Sequence, residues 1–177
     1  SPDDANKGTL GSLLCVCGSY GMAGAAVMSA KGALRTGIGL AKCALPRSIY
    51  PIVAQTILES VYYPLSENAD GRISKVNVPF LVSESCKSSA TLVGCGLGVC
   101  DDTLKIVFSL IENSATPLVL DADALNCVAK QPEILLRKKA PIIITPHPGE
   151  MSRLTGLATP LVNAERERVA LDFAQKY

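Results

Sequence analysis

Apolar residues occur along the chain in short continuous runs that alternate with longer, partly polar segments. The short runs have the length and composition of buried strands, at residues 13–19, 38–45, 60–65, 90–94, 117–125 and 141–145. Helical spacing or helix start and stop residues mark the segments between and after them, at 23–37, 46–55, 74–87, 101–113, 149–154 and 161–176, with further helical pieces before residue 138. This alternation predicts an α/β fold with a mostly parallel sheet covered by helices on both faces.

The last predicted helix runs to Tyr177 without a following glycine, proline or capping residue. Chains of this class normally return from such a helix into another strand. We therefore expect residues 1–177 to belong to a single domain that is truncated at its C-terminal end. The length is sufficient for one domain with a substantial core.

Composition and charge exclude several classes of protein. Hydrophobic residues make up 48% of the chain and the net charge is +1, so there is no electrostatic case for binding nucleic acid. No apolar run reaches the length of a membrane span and no signal peptide precedes the first predicted strand, which favours the cytoplasm. The seven cysteines form no C-x-x-C motif and accompany only one histidine, so we expect reduced thiols rather than a zinc site.

Four of the predicted strands end in turns rich in glycine or polar residues. These turns are GSYGMAGAA at 18–26, GCGLG at 94–98, DADALN at 121–126 and TPHPGE at 145–150. Ligands of open parallel sheets bind outside the carboxyl ends of the strands. Because all four turns should open on the same edge, the sequence predicts a binding site there.

Each of the two glycine-rich turns has two interpretations. The small residues of 18–26 let a ligand approach a helix start, although a tight turn with close helix packing is the favoured interpretation of this turn alone. Its spacing is not G-x-G-x-x-G, which argues against a dinucleotide fingerprint. In the second turn, Gly94, Gly96 and Gly98 could present backbone amides to a phosphate or amide group, or form a plain strand-to-helix turn.

The acidic turn places two carboxylates at a strand end. Asp121 and Asp123 could hold Mg²⁺, orient a hydroxyl or cap the next helix, and capping is the favoured interpretation for Asp123. Asp121 directly follows an apolar strand, where a buried charge needs a partner. We therefore expect Asp121 to hold loops together or to belong to the site.

The only histidine, His147, lies between Pro146 and Pro148 and is followed by Glu150. The prolines fix the backbone and stiffen the turn. A lone histidine is often a structural group, but a rigid turn at the carboxyl end of a strand favours contact with a ligand. Glu150 falls in the first turn of the next helix, where a negative charge is stabilised.

These motifs, in this order, resemble those of the ADP/ATP-dependent NAD(P)H-hydrate dehydratases of the ribokinase-like superfamily. The similar stretches are residues 6–40, 93–98, 118–126 and 143–156. The resemblance implies a three-layer ribokinase-like fold of which residues 1–177 form the N-terminal two-thirds. It also implies the repair of the S epimer of NAD(P)HX to NAD(P)H, with ADP or ATP as co-substrate, Mg²⁺ bridging the phosphates, and a homo-oligomer.

Site residues are implied by the same resemblance. Ala25, the glycines at 94, 96 and 98, and His147 match substrate-binding positions. Glu150 is a candidate for positioning Mg²⁺ and phosphate through water, supported by Asp121, Asp123 and Asn126, and no residue is expected to bind the metal directly.

The sequence also departs from the family pattern. Cys95 replaces a usual proline, and Asn6-Lys7-Gly8 stands where His-Lys-Gly is common. The family's nucleotide motifs, a Lys-Gly strand end and a Gly-Ser/Thr-Gly-Asp turn with the catalytic aspartate, do not occur in these residues. We therefore expect the chain alone to be inactive. A ribokinase-like kinase for a vitamin precursor and a non-catalytic nucleotide-binding or interaction protein remain the alternatives, and TPHPGE and DADALN disfavour the kinase.

Overall fold

Six parallel strands form one sheet in the computed structural model, which describes residues 10–177. The order across the sheet is β3-β2-β1-β4-β5-β6, and every neighbouring pair is parallel. This confirms the predicted α/β class. The strands are β1 (Ser12–Val16), β2 (Leu40–Pro46), β3 (Val61–Leu65), β4 (Ala90–Val93), β5 (Leu118–Leu120) and β6 (Ile142–Ile144).

Helices connect the strands and cover both faces of the sheet. They are α1 (Ala23–Arg35), α2 (Tyr50–Thr56), α3 (Val78–Cys86), α4 (Asp101–Asn113), α5 (Asp123–Val128), α6 (Pro148–Thr155), α7 (Thr159–Ala164) and α8 (Arg166–Lys176). Short 3₁₀ turns occupy Arg47–Ile49, Lys75–Asn77 and Pro132–Arg137. No helix in the part of the chain that the structure describes is long and apolar enough to cross a membrane.

The core lies on both sides of the sheet because successive strand residues point to opposite faces. On β1, Leu14 and Val16 join a cluster with α3 to α8. Cys15 on the strand and Cys17 directly after it pack with α1 and α2. Burial on both faces explains why the strands read as continuous apolar runs. The buried cysteines are free thiols, as predicted.

Several element boundaries differ from prediction. The strand predicted at 117–125 ends at Leu120, and α5 begins at Asp123. β1 ends at Val16 rather than at residue 19, since its pairing with β2 and β4 stops there. The helix predicted at 161–176 is wrong as a single element, because the chain turns out of helical geometry at Glu165 (φ −129°) between α7 and α8. Pro79 is tolerated in α3 because it lies in the first turn, where its missing N–H costs no hydrogen bond.

A buried ion pair ties β2 to α3. Lys42 Nζ lies 2.7 Å from Glu84 Oε1, and both side chains are 11% exposed. The Tyr63 hydroxyl donates to the same oxygen at 3.1 Å. The hydrogen bond from Lys42 lowers the pKa of Glu84, although burial acts in the opposite direction.

The strand order creates a crevice between the carboxyl ends of β1 and β4. The connections from β1 run towards β3, and those from β4 run towards β6, so the chain reverses its direction across the sheet at this point. Open α/β sheets bind ligands at such a switch point. The prediction that residues 1–177 form one domain is supported by the single sheet but stays a prediction.

Candidate functional site

The loops that follow β1 and β4 pack directly against each other at the crevice. The Gly18 N–H donates to the Cys95 carbonyl at 2.8 Å, and the Ser19 hydroxyl donates to the Gly96 carbonyl at 2.8 Å. Gly96 has φ +64°, and a Cβ on it would lie 2.6 Å from the Ala25 Cβ. Two of the predicted substrate residues, Ala25 and Gly96, are therefore in contact.

The acidic turn after β5 packs against the start of the glycine-rich turn. Gly94 has φ +128°, and a Cβ on it would lie 1.9 Å from the Asp121 carbonyl oxygen and 2.7 Å from the Ala124 nitrogen. Ala122 also adopts a positive φ of 48°, an uncommon conformation for a residue with a side chain. Glycine at position 94 is therefore what allows the two turns to meet.

Both aspartates hold loops in place. Asp121 Oδ1 accepts the Ala122 N–H at 2.9 Å, and Oδ2 accepts the Cys95 thiol at 3.4 Å. This confirms the loop-holding alternative for Asp121. Asp123 Oδ2 accepts the Gly98 N–H at 2.8 Å.

The prediction that Asp123 caps α5 is wrong. Ala122 is the N-cap residue, and no side chain in the described part of the chain caps the helix. Asp123 already lies inside the first turn, and its carboxylate turns instead towards the glycine-rich loop and Asn126, whose Nδ2 donates to Oδ1 at 3.1 Å. Asp123 therefore joins α5 to the loop before α4.

Two of the three amides in the glycine-rich turn are engaged within the protein, which favours the interpretation as a strand-to-helix turn for those two residues. The Gly94 N–H donates to the Val16 carbonyl at 3.2 Å, and the Gly98 N–H is held by Asp123. These glycines therefore serve close backbone packing, which brings the loop surface up to the crevice without side chains.

His147 caps the N-terminus of α6. Its Nδ1 accepts the N–H groups of Gly149 at 3.0 Å and Glu150 at 3.3 Å, while Glu150 Oε2 accepts the His147 N–H at 2.9 Å. Because Nδ1 is an acceptor, the ring proton belongs on Nε2, which faces Glu150 Oε1 at 3.3 Å. His147 thus has a structural role as a helix cap. Its imidazole nevertheless remains 61% exposed and accessible to a ligand.

Two arginines missed by the sequence analysis complete the site. Arg153 Nε donates to Asn126 Oδ1 at 2.8 Å and so joins α6 to α5. Arg72 lies over the glycine-rich turn, since a Cβ on Gly98 would lie 2.4 Å from its Nε. Arg153 lies within α6, and Arg72 lies in the loop after β3, outside the four turns that the sequence singled out.

The carboxylates at this edge do not form a direct metal site. Asp121 and Asp123 have both oxygens engaged by protein donors, and the two oxygens of Glu150 face His147. Within residues 10–177 there is no group of three or more histidine, cysteine, aspartate or glutamate side chains that could hold a metal ion. The predicted role of Glu150 towards Mg²⁺ therefore stays a prediction. The stretch Asn6-Lys7-Gly8 lies outside the described residues.

Comparison with known proteins assigns the family. The model of the NAD(P)H-hydrate dehydratase family matches residues 13–177, nearly the whole chain. The chain belongs to this family. A bifunctional NAD(P)H-hydrate repair enzyme of Thermofilum pendens is 38% identical over 173 residues, covering 98% of this chain and 33% of the relative. The ADP-dependent (S)-NAD(P)H-hydrate dehydratase of Neisseria meningitidis is 32% identical over 167 residues, covering 93% of this chain and 52% of the relative.

A solved structure of the NAD(P)H-hydrate dehydratase family supports the fold. The ADP/ATP-dependent NAD(P)H-hydrate dehydratase of Bacillus subtilis, co-crystallised with ATP and Mg²⁺, superposes with a TM-score of 0.77 at 27% identity. It is matched over 98% of this chain and 57% of its own length. The chain thus spans about a third to three-fifths of the relatives it matches, and the ribokinase-like fold class is confirmed.

Proposed function

We propose that the protein containing this chain repairs hydrated nicotinamide dinucleotides. In the proposed reaction, ADP or ATP transfers a phosphoryl group to the hydroxyl of the S epimer of NAD(P)HX. Phosphate then leaves as its C–O bond breaks, a proton is lost from the neighbouring carbon, and the C5=C6 double bond of NAD(P)H is restored. The products are NAD(P)H, inorganic phosphate, and AMP or ADP.

The observation that carries this proposal is the direct contact between the loops after β1 and β4 at the switch-point crevice. Ala25 and Gly96 are in contact, and Gly98 is bonded to Asp123. Together with the family match over residues 13–177, this supports Ala25, the glycine-rich turn and His147 as the surface that binds the hydrated nucleotide. Asp121, Asp123 and Asn126 hold that surface, and Glu150 orients the imidazole.

Relatives of the chain support the proposal that Mg²⁺ and ADP or ATP take part in the reaction. The Bacillus subtilis enzyme was co-crystallised with ATP and Mg²⁺, and the Neisseria relative is named as ADP-dependent. Because the acidic residues described here are engaged by protein donors, we propose that the phosphates of the nucleotide hold the metal. We also propose a cytoplasmic location and a homo-oligomer, as the family resemblance implies.

The test is turnover by the complete gene product. NADHX is incubated with Mg²⁺ and either ADP or ATP, and the return of NADH absorbance is followed together with release of phosphate. We expect one NADH per phosphate. If NADHX persists with both donors while a vitamin precursor is phosphorylated, the protein is a ribokinase-like kinase and the proposed function is wrong.

Two variants of His147 separate its contact with substrate from its capping role. Asparagine is a good N-cap residue, so His147→Asn keeps the cap and removes the imidazole, whereas His147→Ala removes both and costs about 0.5–2 kcal/mol of stability. We expect both variants to raise KM for NADHX more than KM for the donor. A normal KM for NADHX in His147→Asn would assign the imidazole to capping alone.

A further inference from the structure

The guanidinium of Arg153 lies beside the exposed imidazole of His147. Long helical side chains point back towards the N-terminus of their helix, which directs Arg153 to the carboxyl edge of the sheet. A Cβ placed on Gly149 would lie 3.8 Å from Arg153 Nη1 and 2.9 Å from His147 Cε1. The two groups therefore approach the same point at the start of α6.

A chain of hydrogen bonds fixes this guanidinium relative to the glycine-rich turn. Arg153 Nε donates to Asn126 Oδ1 at 2.8 Å, and Asn126 Nδ2 donates to Asp123 Oδ1 at 3.1 Å. Asp123 Oδ2 in turn accepts the Gly98 N–H at 2.8 Å. Among residues 10–177, Arg153 is thus anchored through its Nε alone, and the chain of hydrogen bonds reaches the loop in the proposed substrate surface.

Arg153 forms no salt bridge within residues 10–177. The carboxylate nearest along the chain of hydrogen bonds, Asp123, has both oxygens occupied by Asn126 and Gly98. The Nη groups at the far end of the guanidinium are those that bind phosphate oxygens in bidentate contacts. An exposed arginine held in this way is arranged to receive an anion.

The N-terminus of α6 cannot itself supply that anion site. His147 Nδ1 accepts the N–H groups of Gly149 and Glu150, and Pro148 has no N–H. The usual backbone donors of a helix start are therefore occupied. Among the described residues at the start of α6, the free donors and the positive charge come from Arg153.

We propose that Arg153 binds a phosphate of the hydrated nicotinamide dinucleotide, next to the ring contact made by His147. This inference rests on the proposed function and adds the residue that recognises the charged part of the substrate. Asn126 is a positioning residue that acts through Arg153.

The test compares two fluorescent ligands on the complete gene product without a phosphoryl donor. NADH carries the pyrophosphate, whereas reduced nicotinamide riboside carries the same ring and no phosphate. We expect Arg153→Ala to weaken NADH binding by about 10- to 100-fold, as for loss of a charged hydrogen-bonding pair. Its affinity for the riboside should be unchanged. Arg153→Lys should recover part of the loss, because charge returns without the planar fork.

Two further variants sharpen the comparison. Arg137→Ala is the matched control, since Arg137 pairs with Glu112 and lies before β6 at the opposite end of the strand from His147. It should bind both ligands as the unchanged protein does. Asn126→Ala should weaken NADH binding by a smaller factor than Arg153→Ala and leave riboside binding intact.

The outcomes distinguish the inference from the proposed function. Equal binding of NADH by Arg153→Ala and the unchanged protein, with NADHX turnover intact, overturns the inference alone. Equal loss of NADH and riboside also overturns it, because the defect would then be structural. Absence of NADHX turnover by the unchanged protein refutes the proposed function and the inference that depends on it.

Discussion

Replacing Gly94 by alanine should break the contact between the glycine-rich turn and the acidic turn. The new Cβ would lie 1.9 Å from the Asp121 carbonyl oxygen and 2.7 Å from the Ala124 nitrogen. Both atoms belong to the backbone, so no rotation of a side chain can relieve the clash. The φ of +128° is also unfavourable for any residue with a Cβ.

The expected cost follows from these two effects. Backbone strain in a sparsely populated conformation costs about 1–3 kcal/mol, and overpacking at a buried position costs about 1–3 kcal/mol. Together they reach about 2–6 kcal/mol, a large share of the roughly 5–15 kcal/mol that stabilises a typical domain. For a chain of this length, the thermal midpoint should fall by roughly 5–20 °C.

Urea unfolding followed by circular dichroism measures this change, with Gly32→Ala as the matched control. Gly32 is exposed within α1, and a Cβ there meets no atom within 4 Å. The control should gain about 0.5–1 kcal/mol from the higher helix propensity of alanine. An unfolding midpoint for Gly94→Ala at or above that of the unchanged chain would refute the contact between the two turns.

Two further predictions concern a buried ion pair and the cysteine thiols. Glu84→Gln should destabilise the chain by about 3–5 kcal/mol at neutral pH, because it leaves the Lys42 ammonium buried without its charge partner. Since the folded pKa of Glu84 is lowered, its stabilisation is present above the usual glutamate range and is lost as pH falls through the lowered pKa. Urea unfolding should therefore show the variant and the unchanged chain converging in acid, and a constant difference would contradict this. Contact with Cys17 lowers the pKa of the Cys95 thiol, whereas burial raises that of Cys127 to about 11. Peptide mass spectrometry after brief iodoacetamide treatment near neutral pH should find Cys95 modified before Cys127, and the reverse order would contradict this.

The sheet and the edge that carries the site were predictable because they depend on local pattern. Continuous apolar runs identified all six strands, and the turns after them identified the crevice. The sequence marked the glycines at 94 and 96 as part of a turn that opens on this edge. What they approach, the Asp121 carbonyl and Ala25, depends on strand order, which the pattern does not contain.

Side-chain partners were much less predictable. Gly98 and Asp123 are 25 residues apart, Arg153 and Asn126 are 27 apart, and Lys42 and Glu84 are 42 apart. Short-range signals favoured capping for Asp123 because the competing donor, the Gly98 amide, approaches only in the folded chain. No local pattern marked Arg153 as a site residue, since a single arginine on a helix is ordinary in any sequence.

The most direct test of the central claim is a crystal structure of the complete gene product with NADPHX, obtained without a phosphoryl donor. The account predicts the hydrated ring in the crevice between Ala25, the glycine-rich turn and His147, with a phosphate at Arg153. An apolar groove with a volume of about 440 Å³ lies between β6, α6 and α8 and offers a contrasting location. Electron density for the dinucleotide in that groove, with the crevice empty, would contradict the account.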